Sequence, residues 1–354
     1  MAPEVAKNLL LDLLEENNHL IGLSPMDGIT DAVFRYIQTT VSQPDILFTE
    51  FVSAEGIAHG AVKLFDQLLY SSVERPIIAQ LFGKDPQSFY FSTIILCHLG
   101  FDGVDINMGC PAKTVTQHGS GAALIGNYSL VREIISSVKK AVSDFESQKI
   151  TINDLKLKKK TLEIIDRNLK YSTYKQINKK FSVSVKTRLG IENSIVDTWI
   201  PFLLEQDLDF ITLHGRTLRQ GYSGVADWEE IKKAANFCKK YRTKIFGNGD
   251  IQNRSQGIEY CHKYSVNGAL IGRSALGNPW VFGDIIATPQ ERYDTLIRHT
   301  KKFLEVFPER RFEPLRKYFL AYTKGLPNAK ILRSKLITVT NIDQLLSLEE
   351  HFLS

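Results

Sequence analysis

Eight short apolar segments alternate with longer segments of helical character between residues 20 and 271, and this alternation constrains the fold more than any other feature. Such alternation is typical of α/β folds with parallel strands, in which a helix connects each strand to the next. We predict strands at Leu20–Leu23, Ile46–Thr49, Ile77–Leu81, Gly103–Ile106, Ser182–Lys186, Phe210–Leu213, Lys244–Gly247 and Ala269–Ile271.

Polar residues at the ends of these segments favour a closed barrel over a doubly wound open sheet. A barrel collects functional residues at the carboxyl ends of all its strands, whereas an open sheet concentrates them at one crossover point. In this chain nearly every predicted strand contains or precedes a polar residue of that kind, namely Asp27, Glu50, Gln80, Asn107, Lys186, His214, Asn248 and Arg273. We therefore predict an α/β fold, a TIM (β/α)8 barrel followed by a small C-terminal helical domain.

The predicted domain boundaries follow from where the alternation begins and ends. Residues 1–18 contain a leucine-rich amphipathic segment and are expected to form a leader helix that caps the fold. The barrel is expected to occupy residues 19–288, with a basic insert at 144–180. The alternation stops near residue 289, and residues 289–354 are expected to form the helical domain.

The fourth predicted strand ends in a loop that carries a single cysteine. Cys110 lies between Gly109 and Pro111, with Asn107 before it and Lys113 after it. Glycine permits a sharp turn, and proline stiffens the chain that follows. Free cysteines are often buried apolar fillers, but the polar neighbours of this one favour an active-site loop.

Two glycine-containing loops follow the seventh and eighth predicted strands, where barrels commonly bind phosphate. They are Phe246–Asp250 and Ile271–Arg273. Backbone N–H groups of glycine can approach phosphate oxygens closely, and Arg273 can form two parallel hydrogen bonds with them. The two loops predict a phosphorylated cofactor, and Lys186 in the barrel mouth would need an anionic group as its partner.

Composition narrows the functional classes further. The formal net charge of +5 permits an anionic partner without requiring one. The four cysteines, at positions 97, 110, 238 and 261, show neither a CxxC pair nor zinc-ligand spacing, so we expect no metal and a reducing, cytoplasmic location. No apolar run is long enough to span a membrane, and no secretion signal is visible at the N-terminus.

Two basic regions lie outside the strand pattern. The insert contains Leu155–Lys160 and Lys175–Lys180, and it could be an arm that contacts RNA phosphates. Because charge runs usually stay hydrated, we favour a solvated extension of the preceding helix. The C-terminal region mixes basic residues with aromatic ones, which suits contact with folded RNA but is also typical of a helix bundle with an aromatic core.

The chain resembles the tRNA-dihydrouridine synthases, a family of flavin-dependent enzymes, in motifs that span most of residues 20–336. The motifs are Asn107–Lys113 (Asn-Met-Gly-Cys-Pro-Ala-Lys), Ser24–Asp31, Pro76–Gly83, Val185–Gly190, His214–Thr217, Gly221–Gly224, Ala226–Trp228, the two glycine loops and Asn278–Trp280. Arg316–Tyr318 and Lys324–Pro327 resemble the RNA-binding helical domain of the family, particularly its bacterial B-type branch.

The resemblance implies reduction of the C5=C6 bond of a D-loop uridine in tRNA, with FMN as cofactor, NADPH as electron donor and Cys110 as proton donor. It implies FMN contacts from Pro25, Met26, Asp27, Gln80, Lys186, His214, Asn248, Gly249, Asp250, Gly272 and Arg273. We expect substrate contacts from Asn107, Lys113, Arg188, Arg216, Arg316, Lys324 and Arg333.

The chain departs from the family pattern in two places, and two other functions stay open. Asp27 stands where the family usually has alanine, and the insert at 144–180 is not covered by the resemblance. One alternative is an FMN barrel that acts on a free pyrimidine, and the other is a non-catalytic RNA-binding barrel. The sequence does not indicate which D-loop uridine is modified, the oligomeric state, or the preference between NADPH and NADH.

Overall fold

The computed structural model describes residues 9–16, 19–173 and 180–353. Its centre is one sheet of eight parallel strands in the neighbour order β1-β8-β7-β6-β5-β4-β3-β2. The strands are β1 (Leu20–Leu23), β2 (Leu47–Ser53), β3 (Ile77–Phe82), β4 (Gly103–Met108), β5 (Ser182–Arg188), β6 (Phe210–His214), β7 (Lys244–Asn248) and β8 (Gly268–Ile271).

The two edge strands meet, so the sheet closes into a barrel. The backbone N–H of Leu23 in β1 donates to the carbonyl oxygen of Ile46 at 2.9 Å, and that of Asp45 donates to Ile21 at 3.0 Å. The predicted TIM barrel followed by C-terminal helices is confirmed. All eight predicted strands are present, but β2, β4 and β5 continue beyond their predicted ends, to Ser53, Met108 and Arg188. Ladder hydrogen bonds use backbone groups, so polar residues extend these strands beyond their apolar runs.

Helices surround the barrel and continue beyond it. They are α1 (Leu9–Glu16), α2 (Ala32–Val41), α3 (Ala54–Ala58), α4 (Pro86–Leu99), α5 (Lys113–Thr116), α6 (Tyr128–Glu146), α7 (Lys159–Ser172), α8 (Val196–Leu204), α9 (Trp228–Cys238), α10 (Arg254–Tyr264), α11 (Pro289–Val306), α12 (Arg316–Tyr322), α13 (Ala329–Leu336), α14 (Ile342–Leu346) and α15 (Glu349–Leu353). In the described part of the chain, no helix is both long and apolar enough to cross a lipid bilayer.

Helix α1 packs against the apolar interior of the barrel. Leu10 and Leu14 are buried in a cluster with Phe48, Phe210 and Phe246, which come from the amino-terminal halves and centres of the strands. This packing leaves the opposite end, where the strands finish in polar residues, open to a ligand. The rest of the predicted leader, residues 1–8 and 17–18, lies outside the described residues.

The insert folds onto the barrel instead of extending into solvent. In α7, Ile165 and Asn168 are almost fully buried, and the Asn168 amide donates to the carbonyl oxygen of Phe65 at 2.7 Å. Asp66 forms ion pairs of 2.8 Å with Arg167 of α7 and with Arg310 of the C-terminal region. The lysines of the first basic run, 156 and 158–160, are exposed as predicted, but the prediction of a solvated extension is wrong because α7 packs on the barrel. The second basic run, Lys175–Lys180, lies outside the described residues except at Lys180.

The C-terminal helices have an aromatic core and pack on helix α2 of the barrel. Tyr318, Phe319 and Tyr322 are buried, so these aromatic side chains stabilise the helices and are not exposed to RNA. The Tyr318 hydroxyl lies 2.7 Å from the carbonyl oxygen of Ile29 and 3.0 Å from a carboxylate oxygen of Asp31, both possible acceptors. Tyr318 thus links the C-terminal helices to the loop that follows β1.

Candidate active site

A cavity of about 810 Å³ opens at the carboxyl ends of the strands. Most of the predicted site residues line it: Pro25, Met26, Asp27, Gln80, Asn107, Cys110, Lys186, Arg188, His214, Arg216, Asn248, Gly249, Asp250, Gly272, Arg273 and Lys324. Residues that lie far apart in the sequence therefore converge on one site, as expected for a barrel.

Lys113, Arg316 and Arg333 are absent from the lining of this cavity. Lys113 is exposed at the start of α5. Arg316 is half-buried and donates to the carbonyl oxygen of Val339 at 3.4 Å, and Arg333 donates to the Thr323 hydroxyl at 2.9 Å. Any contact of these three residues with a substrate would lie outside the cavity.

Asn107 fixes the loop that presents Cys110. Its side-chain oxygen accepts the backbone N–H groups of Gly109 and Cys110, each at 2.9 Å. The side-chain amide of Asn107 donates to the Gln80 oxygen at 3.1 Å. We predicted that Asn107 would contact the substrate, but part of its hydrogen-bonding capacity holds the cysteine loop.

A buried carboxylate, Asp105, was not predicted as a site residue from the sequence. It holds Gln80, which in turn binds Asn107. Asp105 accepts from the Gln80 amide and from the Ser184 hydroxyl, both at 2.7 Å. Burial raises the pKa of Asp105 to about 6, although the hydrogen bonds from Gln80 and Ser184 oppose the shift. An acidic residue inside the apolar strand Gly103–Met108 was the available signal, since a buried carboxylate needs partners.

Cys110 is 8% exposed and remains a thiol at neutral pH. Burial raises its pKa above the ordinary value, and the negative charge of Asp27 adds to the effect. The backbone N–H of Ala112 and the charges of Arg188 and Lys186 oppose it without reversing it. The side chain can therefore donate a proton, whereas a nucleophilic cysteine would need a lowered pKa.

Arg188 joins the cysteine loop to the loop that follows β6. Its Nε donates to the carbonyl oxygen of Gly109 at 2.7 Å, and its Nη1 donates to Thr217 at 3.2 Å and Gly221 at 3.1 Å. The residue is 3% exposed but lines the cavity. We call Asp105–Ala112 together with Ser184–Arg188 the β4–β5 wall.

Lys186 lies between this wall and the end of β7. Its Nζ donates to the Asn248 side-chain oxygen at 3.0 Å, and the Asn248 amide donates to the carbonyl oxygen of Leu270 at 2.9 Å. Burial, together with the charge of Arg188, lowers the pKa of Lys186 to about 8. An anionic group in the cavity would stabilise the charged form of this lysine.

The second part of the site, residues 248–250 with Gly272 and Arg273, is called the β7–β8 rim. Arg216 and Arg273 both donate to Asp250, at 2.6–2.9 Å. Burial alone would raise the pKa of Asp250, but its hydrogen bonds with Arg216 and Ala226 and the charges of both arginines lower it overall. The Arg216 side chain is 2% exposed, whereas the Arg273 side chain is 59% exposed.

Glycine shapes the rim at two positions. Gly249 has φ of +130°, and a Cβ there would lie 2.5 Å from the Ala226 Cβ. A Cβ on Gly272 would come no closer than 3.8 Å to the nearest neighbours, Met26 and Ser24. The cavity side of Gly272 is thus open, and a ligand oxygen can approach the backbone there.

His214 is an uncharged hydrogen-bonding group. Burial lowers its pKa strongly, and the charges of Lys186, Arg188, Arg216 and Arg273 lower it further. Its Nε2 lies 3.3 Å from Arg216 Nη1. A histidine that resists protonation is poorly suited to act as a general base, because a base must accept a proton.

Two aromatic residues of the lining were not predicted as site residues. Phe51 comes from β2, and Tyr222 comes from the loop after β6. The motif Gly221–Gly224 was the available signal for Tyr222. Among the described residues, no group of three His, Cys, Asp or Glu side chains is placed to hold a metal ion.

Comparison with known proteins agrees with this geometry. The family model described as dihydrouridine synthase matches residues 22–173 and 169–353. The chain is 30% identical over 339 residues to the probable tRNA-dihydrouridine synthase of Staphylococcus aureus (strain COL), covering 93% of this chain and 92% of that protein. It is also 30% identical over 342 residues to the probable tRNA-dihydrouridine synthase 2 of Bacillus subtilis (strain 168), covering 93% of each.

Proposed function

The chain belongs to the dihydrouridine synthase family, and from this premise we propose that it reduces the C5=C6 bond of a D-loop uridine in tRNA. The observation that carries the proposal is the position of Cys110: a protonated thiol in a cavity wall, in a loop held by Asn107 and Arg188. Saturating this bond requires a hydride at C6 and a proton at C5.

The cavity fits FMN as the resident cofactor. Arg273 and the open backbone at Gly272 would hold the phosphate group, because a guanidinium and glycine N–H groups suit its oxygens. Lys186, Gln80 and Asn248 would face the ring system, with backbone contacts from Pro25 to Asp27. When bound and reduced by NADPH, the flavin supplies the hydride.

The side chains of the β4–β5 wall would bind the uracil ring and protonate it. The Cys110 thiol donates its proton to C5, and its raised pKa keeps that proton in place at neutral pH. Asn107 fixes the loop so that the thiol stays at one position in the wall. Arg188 and neutral His214 would hydrogen-bond the uracil, and Lys186 would supply positive charge beside the ring system.

The RNA would be bound by the barrel mouth together with the C-terminal helices. A uridine in folded tRNA must leave its stack to enter the cavity. Lys324 supports the assignment of residues 289–354 as the tRNA-binding domain, because it lies in that region and also lines the cavity of the barrel at 19–288. Lys113, Arg316 and Arg333 would contact RNA outside the cavity.

The four free cysteines are consistent with a reducing, cytoplasmic location.

The reaction can be tested on tRNA from cells that lack dihydrouridine. The purified protein would be incubated with FMN, NADPH and this tRNA, and the digested RNA would be analysed by mass spectrometry. We expect uridine that has gained two hydrogens at a D-loop position, with no reaction of free uridine or uracil. Reduction of the free pyrimidine in place of tRNA would overturn the proposal.

A further inference from the structure

The loop after β1, residues 24–31, is a compact turn that reaches into the cavity. Its residues 25–27 are part of the cavity lining. The backbone N–H groups of Ile29 and Thr30 donate to the carbonyl oxygen of Met26, at 3.1 and 3.0 Å. The Thr30 hydroxyl donates to the same oxygen and accepts from the Met26 backbone N–H, both at 3.1 Å. Any group that holds one end of this turn therefore also fixes the residues that line the cavity.

Helix α12 of the C-terminal region holds this turn from outside the barrel. The Tyr318 side chain is 1% exposed, and its hydroxyl lies 2.7 Å from the carbonyl oxygen of Ile29 and 3.0 Å from a carboxylate oxygen of Asp31. The preceding residue, Lys317, donates to the carbonyl oxygen of Gly28. Two consecutive residues of α12 thus bond the turn, and at a buried position no solvent is available to replace the hydroxyl.

The same helix contacts the loop that follows β8. A Cβ on Gly277 would lie 2.3 Å from the backbone carbonyl carbon of Ala321, so the two backbones are in direct contact. That loop begins with Gly272 and Arg273 of the β7–β8 rim. Lys324, which follows the end of α12, lines the cavity. Helix α12 therefore packs on both of the loops that we assign to the flavin.

We propose that α12 holds the loop after β1 in its flavin-binding conformation, with Tyr318 as a positioning residue that acts through Ile29 and Met26. This role rests on the proposed function, because residues 25–27 are assigned there to FMN. It extends the role of the C-terminal helices from the RNA to the cofactor. A loop that is already ordered loses little conformational freedom when a ligand binds. Without the Tyr318 hydroxyl, part of this ordering would accompany binding, and FMN would bind more weakly.

The test compares Tyr318→Phe with Tyr322→Phe, a matched control in the same helix. Both tyrosines are buried, and each substitution removes a hydroxyl but keeps the ring. The Tyr318 ring stacks on Phe34 of α2 with centroids 5.6 Å apart, and a phenylalanine ring preserves that contact. Among the described residues, the hydrogen-bond partner of the Tyr322 hydroxyl is His299 Nδ1, at 3.3 Å, and not the loop after β1.

Flavin fluorescence on titration into the flavin-free protein measures the Kd for FMN, and urea denaturation measures stability. We expect both variants to lose a similar, small amount of stability, because each loses one buried hydrogen bond. The Kd for FMN should rise roughly 3- to 10-fold in Tyr318→Phe, as for the loss of one hydrogen bond. It should stay at the wild-type value in Tyr322→Phe. Lys317→Met removes the other bond to the turn and should also raise the Kd.

Several results would overturn the role of α12. One is wild-type FMN affinity in Tyr318→Phe, or in Lys317→Met should Tyr318→Phe fail to fold. Another is an equal rise of the Kd in Tyr322→Phe, since the effect would then come from general loosening of the helix. Wild-type protein that binds no FMN would overturn both this role and the proposed cofactor. Wild-type protein that binds FMN but leaves tRNA unreduced would overturn the proposed reaction alone, because the titration needs no turnover.

Discussion

The β4–β5 wall and the β7–β8 rim face the same cavity but are built differently. Hydrogen bonds through Gln80 of the neighbouring strand β3 join two side chains of the wall, Asp105 and Asn107, and lead to the Cys110 loop. Arg188 holds the same loop through the carbonyl oxygen of Gly109, and all four side chains are almost fully buried. In the rim, Arg273 is largely exposed and the backbone at Gly272 is open.

This difference indicates a division of labour between the two regions. A buried, fully bonded wall holds a proton donor at one position, since moving any member leaves a buried polar group without a partner. An exposed arginine beside open backbone can bind a charged ligand without a large desolvation cost. Substitutions in the wall should therefore affect turnover, and substitutions in the rim should affect flavin affinity.

The largest effect is expected for Cys110→Ala in the wall. Loss of the general acid should slow dihydrouridine formation roughly 10²–10⁴-fold, while flavin binding stays unchanged. The measurement is the initial rate of dihydrouridine formation in tRNA. Cys238→Ala is the control, because Cys238 is also buried but lies in α9, away from the cavity. Equal loss in both variants would mean that the thiol has no specific role.

A smaller effect is expected for Arg273→Ala in the rim. Hydrogen bonds to charged groups contribute about 1.5–3 kcal/mol, so the Kd for FMN should rise roughly 10- to 100-fold. Flavin fluorescence on titration into the flavin-free protein measures this change. Arg219→Ala is the control, since its side chain is 76% exposed and pairs with Glu192 away from the cavity lining. Unchanged FMN affinity in Arg273→Ala would show that Arg273 in the rim does not bind the phosphate group.

Asp105→Ala should destabilise the wall itself. It leaves the buried Gln80 amide without its acceptor, which costs about 1–3 kcal/mol in the free energy of unfolding. Turnover should fall as well, because Gln80 holds Asn107 and Asn107 holds the cysteine loop. Urea denaturation and initial rates measure the two effects. Ser184→Ala should cost less, since Asp105 keeps its bond from Gln80. A destabilised Asp105→Ala with full turnover would show that the wall does not position Cys110.

The smallest effect is expected in the pH dependence of the reaction of Cys110 with an alkylating reagent. The pKa of Cys110 is raised in the folded protein, so the reactive thiolate forms at higher pH than in the unfolded chain. Alkylation of Cys110 by iodoacetamide in the flavin-free protein should therefore be slow at pH 7. It should rise about tenfold per pH unit until the raised pKa is passed. In protein unfolded by urea, the alkylation rate should reach its maximum at a lower pH, because the thiol there has its ordinary pKa. A folded-state rate that is already maximal at pH 7 would contradict a protonated thiol.

The barrel could be predicted from the sequence because each strand combines an apolar run with a polar end, two local features. The hydrogen bonds of the β4–β5 wall could not be predicted, because they depend on the register between neighbouring strands. Register places Gln80 beside Asp105, Asn107 beside Lys186, and Arg188 beside His214. No local pattern specifies such pairs.

The packing of α7 was missed for a different reason. Its sequence is rich in charged residues, and few side chains, such as Ile165 and Asn168, make the buried contacts. A short apolar stripe within a charge run gives a weak signal. The aromatic residues of α12 were ambiguous in the sequence, and burial of Tyr318 and Tyr322 identifies them as core residues.

One anaerobic measurement tests the central claim, that Cys110 protonates a uridine of tRNA in this cavity. The flavin-loaded protein would be reduced with one molar equivalent of NADPH and then mixed with tRNA that lacks dihydrouridine. Reoxidation of the flavin would be followed by its absorbance. We expect rapid return of the oxidised flavin spectrum with tRNA, none with free uridine, and a rate lowered roughly 10²-fold or more in Cys110→Ala. Equal rates for the wild type and Cys110→Ala, or for tRNA and free uridine, would contradict it.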